Sequence, residues 1–111
     1  MFKMLAFLTK RVGMETSDFV DYYENRHVPL ILKLATPPLV YKRHYRGEAL
    51  TRKGGAVDFD VVTELGFPDR AAYIDWMAQL ASSGQVGVDE ARFLDRTQTR
   101  AFVFEECVTS G

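Results

Sequence analysis

Hydrophobic positions along this chain follow two rhythms, and the places where one gives way to the other outline its elements. From Phe2 to Lys10 the apolar residues are almost continuous, which predicts a strand ending at the Val12-Gly13-Met14 turn. From Phe19 the spacing becomes helical. At about 100° per residue, Leu30, Tyr23, Leu34, His27, Val20 and Ile31 all fall within about 120° of Phe19, while Asp18, Asp21 and Asn25 lie opposite. Thr16 and Ser17 are candidate N-caps, and Asp18 and Asp21 place negative charge near the positive end of the helix dipole. The helix runs to about Ala35, where Thr36-Pro37-Pro38 stops it.

Leu39 to Gly47 reads as a second strand, followed by a polar loop with Gly54-Gly55, and Phe59 to Phe67 as a third. Pro68-Asp69 opens a second helix with Tyr73, Trp76, Met77 and Leu80 on one face, and Ser82-Ser83-Gly84 closes it. Val88 to Leu94 forms a short irregular or helical segment before a last strand from about Thr97 to Glu106. The order is βαββαβ, an α+β fold of ferredoxin-like, split βαβ type, with an antiparallel four-stranded sheet and helices on one face. Residues 1–111 read as a single domain without repeat or linker. Yet both faces of the outer sequence strands are apolar. Phe2, Met4, Ala6 and Leu8 oppose Leu5 and Phe7, and Ala101 and Val103 oppose Phe102 and Phe104. Helices cover one face only, so a second copy is expected to cover the other, giving a homodimer.

Composition narrows the partners. With 111 residues, 47% hydrophobic and 26% charged, the chain is an ordinary globular domain, and a net charge of −1 gives no electrostatic reason to expect nucleic acid or an acidic membrane. The first residues are too few to span a bilayer and lack the marks of a signal peptide, so a cytoplasmic location is expected. Cys107 is the single cysteine and His27 and His44 the two histidines, which excludes an internal disulfide and disfavours a zinc cluster. No glycine-rich phosphate loop or nucleophile elbow is present.

Four stretches, in order, carry a family resemblance: Phe19-x-x-Tyr-Tyr-Glu-x-x-His27-x-Pro29-Leu30, Tyr41-x-x-His44, Asp58-Phe-Asp-x-Val62-x-Glu64-Leu65 and Asp89-Glu-Ala-Arg-Phe-Leu-Asp95. They resemble the EthD family of the dimeric α/β barrel superfamily, small ferredoxin-like proteins whose sheets pair face to face. EthD takes its name from a gene cluster for ether degradation. Relatives in aromatic polyketide pathways look like cofactor-free decarboxylases or dehydratases, and the wider superfamily includes cyclases, isomerases and haem-dependent monooxygenases. By motif position, His27 and His44 fall on the family's helix and strand histidines and Tyr41 on its strand tyrosine. Gly66 departs from the pattern, standing where a bulkier, often aromatic residue is common, and its small size is expected to widen the local pocket.

These readings converge on a cofactor-free enzyme acting on a small hydrophobic carbonyl or phenolic molecule. Burial of His27 among Tyr23, Leu30 and Ile31 disfavours an imidazolium, and a neutral ring can take a proton as general base. Pro29 cannot donate to the Asn25 carbonyl, which loosens the turn beside it. His44 is the expected partner if the second strand lies beneath the first helix; alternation puts Val40, Lys42, His44 and Arg46 on one face and Leu39, Tyr41, Arg43 and Tyr45 on the other. Tyr23 and Tyr41 can donate to a substrate carbonyl or developing enolate, and Phe7, Phe59, Trp76, Phe93 and Met77 can line an aromatic pocket. Each has a plainer reading: a structural histidine, a solvated strand residue, amphipathic packing and ordinary core. In the cluster Asp89, Glu90, Arg92 and Asp95, carboxylates can orient a histidine, while Arg92 and Asp95 can tie the segment down through ion pairs and caps. The competing functions are a non-catalytic ligand-binding or accessory protein of a degradation pathway and a haem-dependent monooxygenase bound through one histidine.

Overall fold

The computed structural model describes residues 1–51 and 58–110; the Gly54-Gly55 loop lies outside the described residues. In chain order the elements are β1 (Phe2–Leu8), α1 (Thr16–Tyr22), a π-helical turn (Tyr23–His27), α2 (Val28–Leu34), β2 (Val40–Tyr45), β3 (Val61–Phe67), α3 (Arg70–Ser83), α4 (Val86–Phe93), a 3-10 turn (Arg96–Gln98) and β4 (Arg100–Phe104). The sheet has four strands in the order β2-β3-β1-β4, each pair antiparallel. This is the α+β, ferredoxin-like arrangement expected from the hydrophobic rhythm.

Several ends differ from the sequence reading for local reasons. β1 stops at Leu8 because the Lys10 amide turns aside to Asp60 Oδ2 at 2.8 Å, leaving only an isolated bridge from Lys10 to Leu94. β4 begins at Arg100 because Asp95 caps a 3-10 turn first, accepting from the Thr97 amide at 3.2 Å. The N-cap of α1 is Glu15, with no side-chain cap bond; Thr16 and Ser17 already lie inside the helix, and Thr16 Oγ1 accepts from Lys10 Nζ instead.

The first helix is not continuous. Between α1 and α2 the Val28 amide donates to the Tyr23 carbonyl, five residues back, so the turn from Tyr23 to His27 is wide. Pro29 has no amide proton, and in a regular helix its ring would press on the Asn25 carbonyl. The wide turn has a packing consequence. Phe19, Tyr23, His27 and Ile31 recur at intervals of four and are all buried. In an ideal α-helix the last would have rotated about 120° from the first. The extra residue per turn takes back part of that rotation and keeps all four aimed at the sheet. It also moves Leu30 off the inward face, where the regular wheel had placed it, leaving Val28 and Ile31 as the buried residues of α2.

The helices cover the sheet face bearing Met4, Ala6, Leu8, Tyr41, Thr63 and Leu65. Phe19 and Phe93 are fully buried there beside Val61, and a second cluster gathers Ile31, Leu65, Phe67, Trp76 and Leu80. On the opposite face Phe7 packs edge-on against Phe59 and Phe102, with Phe102 53% and Phe104 41% exposed. Gly66 belongs to that opposite face: a Cβ there would meet Met1 Sδ at 2.7 Å and Val40 Cβ at 3.0 Å. Its smallness therefore admits neighbouring side chains and does not widen the pocket under the helices.

Helix α3 starts where Asp69 accepts from the Ala72 amide at 2.9 Å, and ends where Gly84 adopts φ 68°, a left-handed cap that costs glycine little. Replacing Asp69 with alanine is expected to lower stability by about 1 kcal/mol. Urea denaturation checks this, and an unshifted midpoint would contradict the cap.

Candidate active site

Because the helix-facing side chains of β1 and β3 are small or slender near their centres (Ala6, Thr63), the helices stand off the sheet and leave a cavity of about 410 Å³. Met4, Ala6, Leu8, Tyr41, Thr63 and Leu65 form its floor. Tyr23, His27 and Ile31 form one wall, and Tyr73, Trp76, Met77 and Leu80 of α3 another. Gly87 and Glu90 of α4, with Thr99 and Ala101, reach it from the side of β4, a strand exposed along its whole length.

His27 ends the wide turn and is 6% exposed. Its Nδ1 lies 2.8 Å from Asp89 Oδ2, a contact spanning 62 positions of sequence. Asp89 is itself held by α4 and by the Tyr22 hydroxyl, which donates to Oδ1 at 2.6 Å; Arg92 Nη1 lies 3.9 Å from the same oxygen. A carboxylate accepts from Nδ1–H, so the arrangement selects the tautomer whose Nε2 carries the lone pair. Nε2 has no partner among the described residues. The ring is fixed by Phe93 at 4.8 Å and by Tyr23, edge-on, at 5.5 Å between centroids.

Beside it runs a line of hydroxyls. Tyr23 and Thr63 hydroxyl oxygens are 2.5 Å apart, and Tyr41 lines the same cavity beside them. Burial pushes the Tyr23 phenol up to about 12 and raises Tyr41 further, so both stay protonated. The Tyr23–Thr63 contact uses one of the two protons of that pair, and the Tyr41 hydroxyl makes no side-chain hydrogen bond among the described residues, so O–H donors remain for a ligand. Tyr41 is braced from behind. Arg43 stacks over its ring at 4.8 Å and donates to its carbonyl at 3.0 Å, while forming a two-pronged pair with Glu24 at 2.9 and 2.7 Å. Tyr45 donates to Glu24 Oε2 at 2.6 Å. Arg43, then Tyr45, hold the Glu24 carboxyl below its usual range despite partial burial.

The structure thus brings His27, Tyr23, Tyr41 and Trp76 to one cavity. Phe93 backs His27 without lining the space. His44 is a correction: it lies opposite Val62 on the uncovered face, its Nε2 3.0 Å from Glu64 Oε1, so the sheet separates it from His27. Strand alternation forces this, since Tyr41, Arg43 and Tyr45 take the helix side. Phe7 and Phe59 are corrections for the same reason, packing on the uncovered face. Asp95 serves as a cap, whereas Asp89, one alternative in the sequence reading, is the histidine's partner. Thr63 and Glu24 escaped notice; only the strict four-residue spacing of Phe19, Tyr23 and His27 hinted that the helix was underwound.

Comparisons with known proteins agree with this architecture. The family model of the EthD domain matches residues 11–97. An EthD family protein of Bacillus halodurans is similar in structure, with 18% identity, a TM-score of 0.68, and coverage of 96% of this chain and 100% of that one. A hypothetical Arabidopsis thaliana protein has 12% identity, a TM-score of 0.65, and coverage of 98% and 90%. An uncharacterized NIPSNAP domain protein of Burkholderia xenovorans has 14% identity, a TM-score of 0.64, and coverage of 100% and 99%. At such identities the likeness shows the fold alone. Among curated proteins, none matches the sequence.

The lowered Glu24 carboxyl fixes the sign of an acid response. Its ionised form is favoured by folding, so it adds stability above the unfolded-state value, and that contribution is lost as pH falls through the lower folded-state value. Glu24→Gln is expected to be less stable than the parent at pH 7, with the gap closing toward pH 3 in urea midpoints. A gap independent of pH would contradict this linkage.

Proposed function

The chain belongs to the EthD domain family, and on that premise we propose that it is a cofactor-independent enzyme that moves a proton on a hydrophobic carbonyl or phenolic molecule. The observation that carries this reading is the His27–Asp89 contact, which leaves Nε2 as the one basic atom beside a pair of protonated tyrosines. Nε2 takes a proton from the carbon next to a carbonyl. The C–H electron pair becomes a C=C bond as the carbonyl pair moves to oxygen, where a phenol O–H steadies the developing charge. The imidazolium formed is stabilised by Asp89 and returns its proton to a different atom. Isomerisation, cyclisation with loss of water and dehydration all pass through this enolate, and decarboxylation reaches an enolate by loss of CO2 in place of the proton, the carbon then being protonated. Tyr23 and Tyr41 are the carbonyl donors, Trp76 an apolar wall, and His44 has no part at this cavity.

A homodimer completes the reading. The face bearing Leu5, Phe7, Phe59, Phe102 and Phe104 is broad and apolar, and two of its carboxylates are paired there: Lys3 lies 2.8 Å from Glu64 and also pairs with Glu106. A second copy laid sheet to sheet would bury that surface. Phe102→Asp is expected to shift sedimentation from dimer to monomer, and a wild-type protein that sediments as a monomer would overturn the dimer.

Exchange of the C1 protons of 2-tetralone for deuterium, followed by NMR, tests the chemistry without knowledge of the natural substrate. The protein is expected to accelerate exchange, and His27→Ala to remove about 10²- to 10⁴-fold of that acceleration while circular dichroism is unchanged. An unaltered rate in the variant sinks the assignment of His27. Binding of the ketone without faster exchange would favour the ligand-binding alternative, and a Soret band after incubation with haemin the haem one.

A further inference from the structure

We infer that the cavity selects an uncharged ligand and discriminates against carboxylates, which removes decarboxylation of a free acid from the reactions open to the site. The inference rests on the reading of this cavity as the place where substrate binds. Among the described residues lining it there is no lysine or arginine, and the one acidic side chain is Glu90. A second carboxylate, Asp89, stands directly behind His27. Arg96, whose guanidinium lies over Gly87 and 3.6 Å from Glu90, pairs with that carboxylate from outside the lining and is 56% exposed. The other polar side-chain groups of the described lining are hydroxyls, the imidazole and the indole N–H of Trp76, which is buried and has no partner among the described residues.

An anion entering this space would lose its hydration, meet no lysine or arginine among the described lining residues, and sit near the Glu90 and Asp89 carboxylates. A carbonyl or phenol oxygen carries no charge to desolvate, and the hydroxyls of Tyr23, Thr63 and Tyr41 can donate to it. The remaining contacts are apolar, from Trp76, Leu80 and Ile31, and suit a fused ring system. The chemistry left is a proton shift. The proton leaves one carbon for Nε2, the electron pair passes through the enolate, and the same proton returns to another carbon. Cyclisation differs only in that the enolate carbon attacks a second carbonyl, whose oxygen takes the proton and can later leave as water. Neither route calls for an oxidant, a reductant or a leaving carboxylate.

Two ligands of one shape separate the possibilities: 2-tetralone, which is neutral, and 1,2,3,4-tetrahydro-2-naphthoate, which is an anion at pH 7.5. Isothermal titration calorimetry with the intact protein is expected to show the ketone binding on the order of 100-fold more tightly. Glu90→Lys, which places a cation on the wall, is expected to tighten the carboxylate about 10-fold relative to the ketone. Glu90→Gln, a milder change, moves the carboxylate in the same direction and guards against a misfolded lysine variant. A carboxylate that binds the parent protein as tightly as the ketone overturns the selectivity while leaving the cavity as the ligand site. Binding of neither compound removes that site, and the selectivity with it.

Discussion

The missing amide proton of Pro29 sets the geometry on which the rest of this structure depends. A regular helix through residues 16–34 would spiral its inward face around the axis, and a histidine eight positions after Phe19 would drift toward the edge of the core. The wide turn holds Phe19, Tyr23, His27 and Ile31 in one line above the sheet. Wide turns of this kind recur at functional sites because they aim a side chain where a regular helix would not. Here the cost of the unmade backbone bonds is spread through tertiary contacts: Tyr23 bonds to Thr63, Glu24 to Arg43 and Tyr45, and His27 to Asp89. Three residues of the turn are thus each anchored by side-chain hydrogen bonds to a different part of the fold.

Helix α4 is the second element on which the cavity depends. It carries Asp89, which orients the histidine, Phe93, which packs on its ring, and Gly87 and Glu90, which face the cavity. One short helix therefore sets both the tautomer of His27 and the acidic group of the wall. The Leu94–Lys10 bridge and the Arg11 amide bonded to the Phe93 carbonyl tie its end to the chain leaving β1. The base and its carboxylate, far apart in sequence, are thereby fixed relative to one sheet.

How far the sequence could be read followed from what each signal encodes. Strand order and helix positions were legible because a change of hydrophobic period marks each boundary, and Pro68-Asp69 and Gly84 mark the limits of α3 through the chemistry of caps. The burial of His27 was legible from its place on the apolar stripe. Alternation separated His44 from Tyr41 but could not say which belonged under the helices, since β2 carries polar residues on both faces. That depends on pairing with β3, where Thr63 and Leu65 face inward and Val62 and Glu64 outward. The same ambiguity placed Phe7 and Phe59 in a pocket that lies on the other side of the sheet. Asp89 was visible only as one carboxylate among several, because a contact over 62 positions leaves no local spacing.

The two faces of the sheet divide the histidines, and with them two kinds of work. Under the helices, burial keeps Tyr23 and Tyr41 as phenols and so removes them as bases, while the Asp89 carboxylate commits His27 Nδ1 to donation. Groups of different type are thereby pushed toward opposite roles by one environment, donors on one side and a single acceptor nitrogen on the other. On the uncovered face, His44 and Lys3 both lean on Glu64, whose carboxyl is held low first by Lys3 and then by His44. Those charges offset one another amid the aromatic side chains of that face. His44 is thus engaged by a carboxylate on the uncovered face, whereas His27, beneath the wide turn, keeps Nε2 without a partner among the described residues.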